Sequence, residues 1–449
     1  MPHPCQAGNF RHYQHKQRGA ALMITLVIMV MGAATFLVSS LNNTALQTKR
    51  DEISADALAQ AKEALISYAA SVTLTPSGSK RPGDLPCPDT NNDGLAEPSC
   101  GNASGSTGQN LRLGRLPWKT LGLPDLRDSS GERLWYAVSN NFKNNTRTAL
   151  LNSDTQGTIT VFASAGNILY DGGASGTGAV AVIIAPGDIL QRTDQSTPQD
   201  RSSAGINNPQ NYLDIALGED NANFVDGSPT NGFIQGRIKD NNGNIILNDQ
   251  LLVITQDNIM RAIQKRVASE VKQCLNEYAK DPQNKGRYPW ATKLDPANPV
   301  NYTDSSNQLF GRIPDNPFDN TVNDSNDQMN DTWMGNCNIN SSSGWWLNWK
   351  EVVFYGLSDA YKPVNPLLAP AANACASTGA CLSINPPSVT ADKKFVVVVA
   401  GKKLPGQVRT SNTDKGTLSN YLEAPNNGGA TAFAQGAFSA IFNDTVVFP

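Results

Sequence analysis

An acidic loop near residue 90 contains the residues of this chain whose types and spacing could hold a metal ion. Asp89, Asn91 and Asp93 stand at alternate positions, a glycine follows, and Glu97 takes the ninth place of the loop. In this Asp-x-Asn-x-Asp-Gly spacing, side-chain oxygens turn toward a hard cation while the glycine permits a sharp bend. The loop therefore predicts a calcium site with Asp89, Asn91, Asp93 and Glu97 as ligands.

The same loop has a structural alternative. Its twelfth place is Cys100, where an EF-hand has a bidentate Glu, and Cys87 lies just before it. A disulfide between these cysteines could clamp an Asn/Asp/Gly turn that binds no ion. The other Asn/Asp clusters, residues 240–244 and 323–331, lack the alternation and are predicted to be solvated loops.

Histidine occurs only near the N-terminus, as His3, His12 and His15. Beyond them, Ser-His-Asp and Cys-His nucleophiles and His-ligated catalytic metals are excluded. Paired carboxylates of the glycosidase kind would remain, but no pair stands out among the 39 acidic residues. We therefore expect a protein that is not an enzyme.

Cysteine usage is typical of an oxidising compartment. Cys5 lies in the N-terminal segment, and the other six form an even set: Cys87, Cys100, Cys274, Cys337, Cys375 and Cys381. Six cysteines allow fifteen pairings. The spacing favours local bridges from Cys87 to Cys100 and from Cys375 to Cys381, which leaves Cys274 with Cys337. Zinc is the alternative, but the chain has no CxxC pair and no histidine after His15.

Four tryptophans cluster in the C-terminal part of the chain: Trp333, Trp345, Trp346 and Trp349. Aromatic faces stack on sugar rings, so the cluster could form a carbohydrate or surface platform. Core packing is the alternative, because the spacing of the last three cannot place them all on one side of a strand.

An uncharged segment at residues 20–41 is long enough to cross a bilayer. Its 22 residues would span ~33 Å as a helix, against a hydrocarbon core of ~30 Å. Lys16 and Arg18 precede it, and no acidic residue occurs from Met1 to Gly19. The positive-inside rule then predicts a single pass with the remainder of the chain periplasmic. The alternative is an uncleaved signal anchor that holds a periplasmic domain, because such an anchor has the same kind of hydrophobic segment.

The helical pattern continues past this segment. Leu58, Ala61, Leu65, Tyr68 and Val72 mark one apolar face, and no Gly or Pro occurs from residue 33 to residue 71. We therefore predict one helix of about 50 residues, with a membrane half and an amphipathic half.

The N-terminal pattern resembles the class III leader of type IV prepilins and type II secretion pseudopilins. Basic residues end at Gly19, and the apolar run begins at once with Ala20. The resemblance implies that a prepilin peptidase cuts between Gly19 and Ala20, and that the mature helix binds other pilins or pseudopilins. Most members have Glu at the fifth mature position, where this chain has Ile24. In this respect the chain resembles some minor pilins of the PilX type and the minor subunit at the fibre tip of type II secretion, which also lack the Glu.

The chain also repeats itself. Seven short segments recur in the same order and at a nearly constant separation along the chain. Examples are residues 114–117 with 311–314, residues 134–139 with 353–358, and residues 248–249 with 443–444. A helix predicted over residues 257–280 takes the place of the N-terminal helix in the second copy, but its basic residues exclude it from a membrane.

These observations predict an α+β fold in which a long N-terminal pilin stem helix precedes two tandem pilin-like helix-on-antiparallel-sheet units. The predicted divisions are a leader at residues 1–19, a transmembrane helix at 20–41, and units at 42–255 and 256–449. Three of the 36 basic residues lie in the leader, which leaves 33 against 39 acidic residues and argues against a nucleic-acid partner.

The predicted function is a minor pilin or pseudopilin, a structural and interaction subunit of a type IV pilus or type II secretion fibre. It would lie at the inner membrane or at the fibre tip. Alternatives are a membrane-anchored periplasmic binding protein, such as an adhesin, or a carboxylate-based glycosidase.

Overall fold

The fold is described from a computed structural model of the 449-residue chain. The described residues are 18–72, 80–101, 109–145, 150–173, 176–297, 302–303, 307–317, 329–335, 337, 339, 344–386, 388–429 and 431–449. Before residue 45 only the side chains of Met29 and Met31 are described, and those of residues 109–110 and 388–389 are omitted. Most of the predicted leader, residues 1–17, and the side chain of Ile24 lie outside this set, as does most of the 323–331 cluster.

The chain divides into two compact units, Met1–Ile53 and Ser54–Pro449. In the first, exposed polar side chains pair along one helix, with Gln47 Nε2 donating to Asp51 Oδ1 (2.8 Å) and Lys49 Nζ lying 2.8 Å from Glu52 Oε2. Such exposed pairs contribute little to stability. The second unit holds the sheets, the disulfides and the site described below.

Four α-helices occur in the described residues: α1 (Arg18–Ser71), α2 (Gln256–Lys280), α3 (Gly344–Trp349) and α4 (Asn412–Lys415). The predicted helix at 257–280 is confirmed as α2. It starts at a capping box, because Thr255 Oγ1 accepts from Asn258 N and Asn258 Oδ1 accepts from Thr255 N. Its predicted apolar face is buried throughout.

A four-stranded antiparallel sheet of order β1-β2-β5-β11 forms the centre of the first half, residues 54–255. Alternation sends Tyr136 and Val138 to one face of the sheet, Trp135 and Ala137 to the other. The strands are β1 (Leu113–Arg115), β2 (Trp135–Val138), β5 (Ala181–Ala185) and β11 (Gln250–Ile254).

The second half, residues 256–449, contains a sheet of the same size and the same antiparallel order, β12-β13-β16-β18. Its strands are β12 (Phe310–Arg312), β13 (Val353–Leu357), β16 (Phe395–Val399) and β18 (Thr445–Val447). The repeated segments 134–139 and 353–358 thus form strands β2 and β13, as their aromatic and β-branched composition predicts.

Short strands form the remaining sheets of the described chain. In the first half they are β3 (Val161–Phe162), β4 (Ile168–Tyr170), β6 (Ile215–Ala216), β7 (Glu219–Asp220), β8 (Phe233–Ile234), β9 (Ile238–Lys239) and β10 (Ile245–Leu247). In the second half they are β14 (Leu382–Ile384), β15 (Ser388–Lys393) and β17 (Ala432–Phe433). Two pairings are parallel, β3 with β8 and β14 with β17.

The main hydrophobic core belongs to both halves. It combines side chains of both large sheets, of α2 and of the buried face of α1, including Leu65, Ile183, Ile263 and Val397. A second cluster, with Trp135 and Phe224, covers the other face of the first sheet. The two halves are therefore packed against one common interior.

The predicted fold class is wrong. The described chain is a mixed α/β fold with many small sheets, two of them with parallel pairs, rather than a stem helix followed by two pilin-like units of one antiparallel sheet each. Within the part of the chain that the structure describes, no helix is both long enough and apolar enough to cross a membrane. Two-residue strands that pair across long loops carry no periodicity, so the sequence pattern could not indicate them.

Candidate ligand site at the Asp89 loop

The acidic loop is fixed at both ends. A disulfide joins Cys87 to Cys100, and Asp89 exchanges two backbone hydrogen bonds with Arg115 of β1 (2.9 and 2.6 Å). The other disulfides join Cys274 to Cys337 and Cys375 to Cys381, so the three pairs are those that the spacing favours.

Backbone amides donate hydrogen bonds to both carboxylate oxygens of Asp89. Asp89 Oδ1 accepts from Asn92 N (2.6 Å), and Oδ2 accepts from Gly94 N (2.7 Å). The residue is only 1% exposed, and this burial raises its pKa, although the amide hydrogen bonds oppose the rise. Gly94 has φ +87°, the bend predicted from its type, and an added Cβ would meet the ring of Trp118 at 2.7 Å.

The other predicted ligands also accept from donors inside the loop. Asn91 Oδ1 accepts from Asp93 N (2.9 Å), and Asp93 Oδ1 accepts from Leu95 N (2.7 Å). Glu97 Oε1 accepts from the backbone and hydroxyl of Thr90 (3.2 and 2.8 Å). A cation bound through these oxygens would have to share or displace their present partners.

Two basic side chains lie against the loop from outside. Lys119 Nζ donates to the carbonyl of Asp93, and Arg133 Nη1 donates to the carbonyl (3.0 Å) and Oδ1 (2.7 Å) of Asn92. Among the described residues, no three His, Cys, Asp or Glu side chains are grouped so that they could hold a metal ion. The local hydrogen bonds fit a clamped turn well, and calcium at this loop stays a prediction.

Calcium at the loop is tested by thermal unfolding of the full chain, with calcium and with a chelator. A cation that binds only the folded state raises stability by about 2.7 kcal/mol at 100 times its dissociation constant, so the midpoint should rise with calcium. Asp93→Ala should abolish the rise, whereas Asp240→Ala, in a separate Asn/Asp/Gly turn, should keep it. If wild type and Asp93→Ala have the same unfolding midpoint with calcium and with the chelator, the loop is a turn that binds no calcium.

A cavity of about 430 Å³ adjoins the loop. Its walls combine aromatic, aliphatic and amide side chains from distant parts of the first half: Asp89, Thr90, Leu113, Gly114, Arg115, Trp135, Asn207, Asn208, Pro209, Gln210, Ala222, Asn223 and Phe224. This volume lies within the range of about 300–1,000 Å³ that is usual for small-ligand clefts.

Arg115 is the basic side chain that lines this cavity. Its Cζ lies 4.3 Å from the ring centroid of Trp135 and 3.9 Å from that of Tyr212. Nη1 donates to the carbonyl of Arg133 (3.0 Å) and Nη2 to that of Ile206 (3.3 Å). Burial lowers the pKa of Arg115 to about 10, which leaves the guanidinium charged at neutral pH.

The tryptophan cluster does not form a surface platform. Trp345 and Trp349 are 1% and 0% exposed, and Trp346 lies equally deep in the main core. Trp333 is half-buried and packs against the same core, with its ring edge-on to that of Tyr278. Core packing, the alternative weighed from the spacing, is what the structure shows.

The predicted cleavage residues lie far along the chain from this site. Gly19 and Ala20 belong to the first turn of α1, and their side-chain surroundings are outside the described set. Sequence reasoning missed the cavity, since its walls come from segments that are far apart in the chain. The repeated Gly-Arg pairs 114–115 and 311–312 were the one signal that pointed to it.

No protein-family model matches the chain, and neither a curated protein nor a solved structure matches it.

Proposed function

We propose that this protein is a minor pilin or pseudopilin, a subunit of a type IV pilus or type II secretion fibre. One observation carries the proposal: from Arg18, the first described residue, one unbroken helix, α1, passes through the predicted cut between Gly19 and Ala20 and runs to Ser71. Cleavage there would leave a mature chain whose first residues are already helical. In the pilins and pseudopilins that the sequence resembles, that helix binds other subunits.

The expected partners are other pilins or pseudopilins, together with a prepilin peptidase at the inner membrane, with the globular part periplasmic. The size of the chain favours a terminal position in the fibre. The mature chain would still run from Ala20 to Pro449, and this bulk would crowd neighbours along a shaft. Ile24 fits the same position, because a terminal subunit has no preceding amine for a fifth-position Glu to neutralise.

Cleavage tests the proposal directly. Coexpression with a prepilin peptidase should remove the segment from Met1 to Gly19, so that N-terminal sequencing begins at Ala20. Gly19→Arg should block the cut because the resemblance implies a peptidase that cuts after glycine, and Ala21→Ser, one residue beyond the site, serves as the matched control. An unchanged N-terminus beside an active peptidase would overturn the assignment and favour a membrane-anchored periplasmic binding protein.

A further inference from the structure

The two halves build the same arrangement around one arginine each. Arg312 exchanges backbone hydrogen bonds with Thr292 (both 2.9 Å), as Arg115 does with Asp89. Arg312 Nη2 donates to the carbonyl of Lys415 (3.2 Å), as Arg115 Nη2 does to that of Ile206. Residues 206 and 415 therefore occupy equivalent places, and so do their successors Asn207 and Gly416.

The aromatic partners correspond as well. Arg312 Cζ lies 4.6 Å from the ring centroid of Phe354 and 4.5 Å from that of Tyr421. These rings belong to β13 and to the segment after Lys415, the places that Trp135 and Tyr212 take in the first half. Each arginine is thus held by one strand residue and one tyrosine.

The second half adds two side chains at places where no described residue of the first half lies. Tyr302 places a third ring 5.4 Å from Arg312 Cζ and 4.8 Å from Lys350 Nζ, and it is 5% exposed. Pro296 packs so closely on Gly416 that an added Cβ there would collide with its ring. Both follow Thr292 in the chain, within the described residues 293–297 and 302–303, so these two side chains cover the arginine from their own chain.

In the first half, the residues equivalent to Arg312 and Gly416 line the cavity instead. Arg115 and Asn207 line it, together with Thr90, the residue that directly follows Asp89. The chain after Asp89 turns back on itself through the amide contacts of that carboxylate. Among the described residues of the first half, none fills the space that Pro296 and Tyr302 take in the second, and the cavity lies there.

We infer that this cavity binds a peptide segment of a partner chain, one that presents a tyrosine or phenylalanine to Arg115 and a nearby proline to Asn207. The second half shows the chemistry of such an occupant in atomic detail, with a ring on a guanidinium and a proline against the following turn. The negative face of an aromatic ring attracts a guanidinium, and burial of the ring adds to that attraction. The inference holds whether or not the partner is a fibre subunit.

The mixed amide and aromatic walls would also suit a sugar. A peptide is favoured because Pro296 and Tyr302, two residues of this same chain, take the corresponding space in the second half. Asn207 and Asn208 at the rim are exposed, which leaves an entrance for a segment from another chain.

The test uses the purified full chain in detergent and a capped nonapeptide with the sequence of residues 294–302, Leu-Asp-Pro-Ala-Asn-Pro-Val-Asn-Tyr. Titration calorimetry should detect saturable binding. Asn207→Trp, which fills the entrance from an exposed position, should weaken binding at least 10-fold, whereas Asn242→Trp, in an exposed turn elsewhere, should leave it unchanged. The peptide with its last residue changed to Ala should bind at least 10-fold more weakly.

Absence of binding at millimolar peptide would overturn the inference. If Asn207→Trp and Asn242→Trp weaken peptide binding equally, or if neither weakens it, the peptide binds outside this cavity. Either result would also overturn the inference. Cellotetraose and chitotetraose serve as sugar probes, and binding of either one that Asn207→Trp abolishes, without binding of the peptide, would identify a carbohydrate site instead. None of these outcomes depends on cleavage at Gly19.

Discussion

Asn348→Ala should lower the free energy of unfolding by about 2–4 kcal/mol, because it removes a buried acceptor that both halves use. Asn348 Oδ1 accepts from Arg81 Nη1 (3.2 Å) and from Leu151 N (2.8 Å), and its Nδ2 donates to the carbonyl of Gly344 (2.8 Å). Arg81 is 3% exposed, so water cannot easily replace the lost contact. Denaturant unfolding of the full chain measures the change.

Asn152→Ala is the matched control for this variant. Asn152 Nδ2 donates to the carbonyl of Asn348 (3.0 Å) and Asn152 Oδ1 accepts from Asp154 N (2.9 Å), at a half-buried position where water can replace the side chain. We expect a loss below about 1.5 kcal/mol there, because water offsets most of both lost hydrogen bonds. If Asn348→Ala were no more damaging than Asn152→Ala, the buried contacts with Arg81 and Leu151 would not hold the halves together.

Stability should fall as the pH rises from about 4 to 7, by about 2 kcal/mol or more, because the buried carboxyl pair of Asp214 and Asp249 holds its protons more tightly in the folded chain. Burial raises the pKa of Asp214 to about 6, against hydrogen bonding by Asn248 N and the charges of Arg201 and Arg192. The pKa of its neighbour Asp249 is also raised, by burial and then by the charge of Asp214. A carboxyl with a raised folded-state pKa binds more protons in the folded than in the unfolded chain, so stability is lost as it ionises.

Asp249→Asn should reduce this pH dependence, because one of the two buried carboxyls no longer titrates. The amide oxygen can still accept from Asn221 Nδ2 and Asp214 N, as Asp249 Oδ2 does (both 2.8 Å), while the like charge beside Asp214 is gone. Unfolding free energies at pH 4 to 8 measure the slope. Asp200→Asn is the control, because that exposed carboxyl has a lowered pKa and should leave the slope nearly unchanged. A wild-type slope of the opposite sign would contradict the assignment.

The second half contains a matching buried carboxyl. Asp444 Oδ2 accepts from Asn426 Nδ2 (2.9 Å) and Glu423 N (3.1 Å), the bonds that Asp249 makes with Asn221 and Asp214. Burial and the charge of Glu423 raise its pKa. The variant Asp249→Asn should therefore keep a residual slope, which Asp444→Asn would reduce further.

Long amphipathic patterns were predictable from the sequence. The helix expected over 257–280 is α2, because seven apolar side chains at three- and four-residue spacing identify the buried face without reference to the rest of the chain. The disulfide pairs also followed from spacing, since short loops close with less loss of entropy.

The smaller sheets and the cavity were not predictable. β3 and β8 are two residues each and pair in parallel across a long intervening segment, so no local periodicity could indicate them. The acidic loop shows a second reason why the sequence alone does not predict a site. Its spacing specified a tight turn correctly, but the same oxygens can face a cation or backbone amides, and residue types alone do not choose between them.

The common interior has a consequence for how the two copies could diverge. Side chains such as Leu65, Ile183 and Val397 share one core, so a change of volume in either copy disturbs the other, and alterations there must compensate each other. The cluster around Trp135 and Phe224 lies outside that core. A change at that cluster can therefore alter one copy while the common core, and with it the other copy, stays as it is.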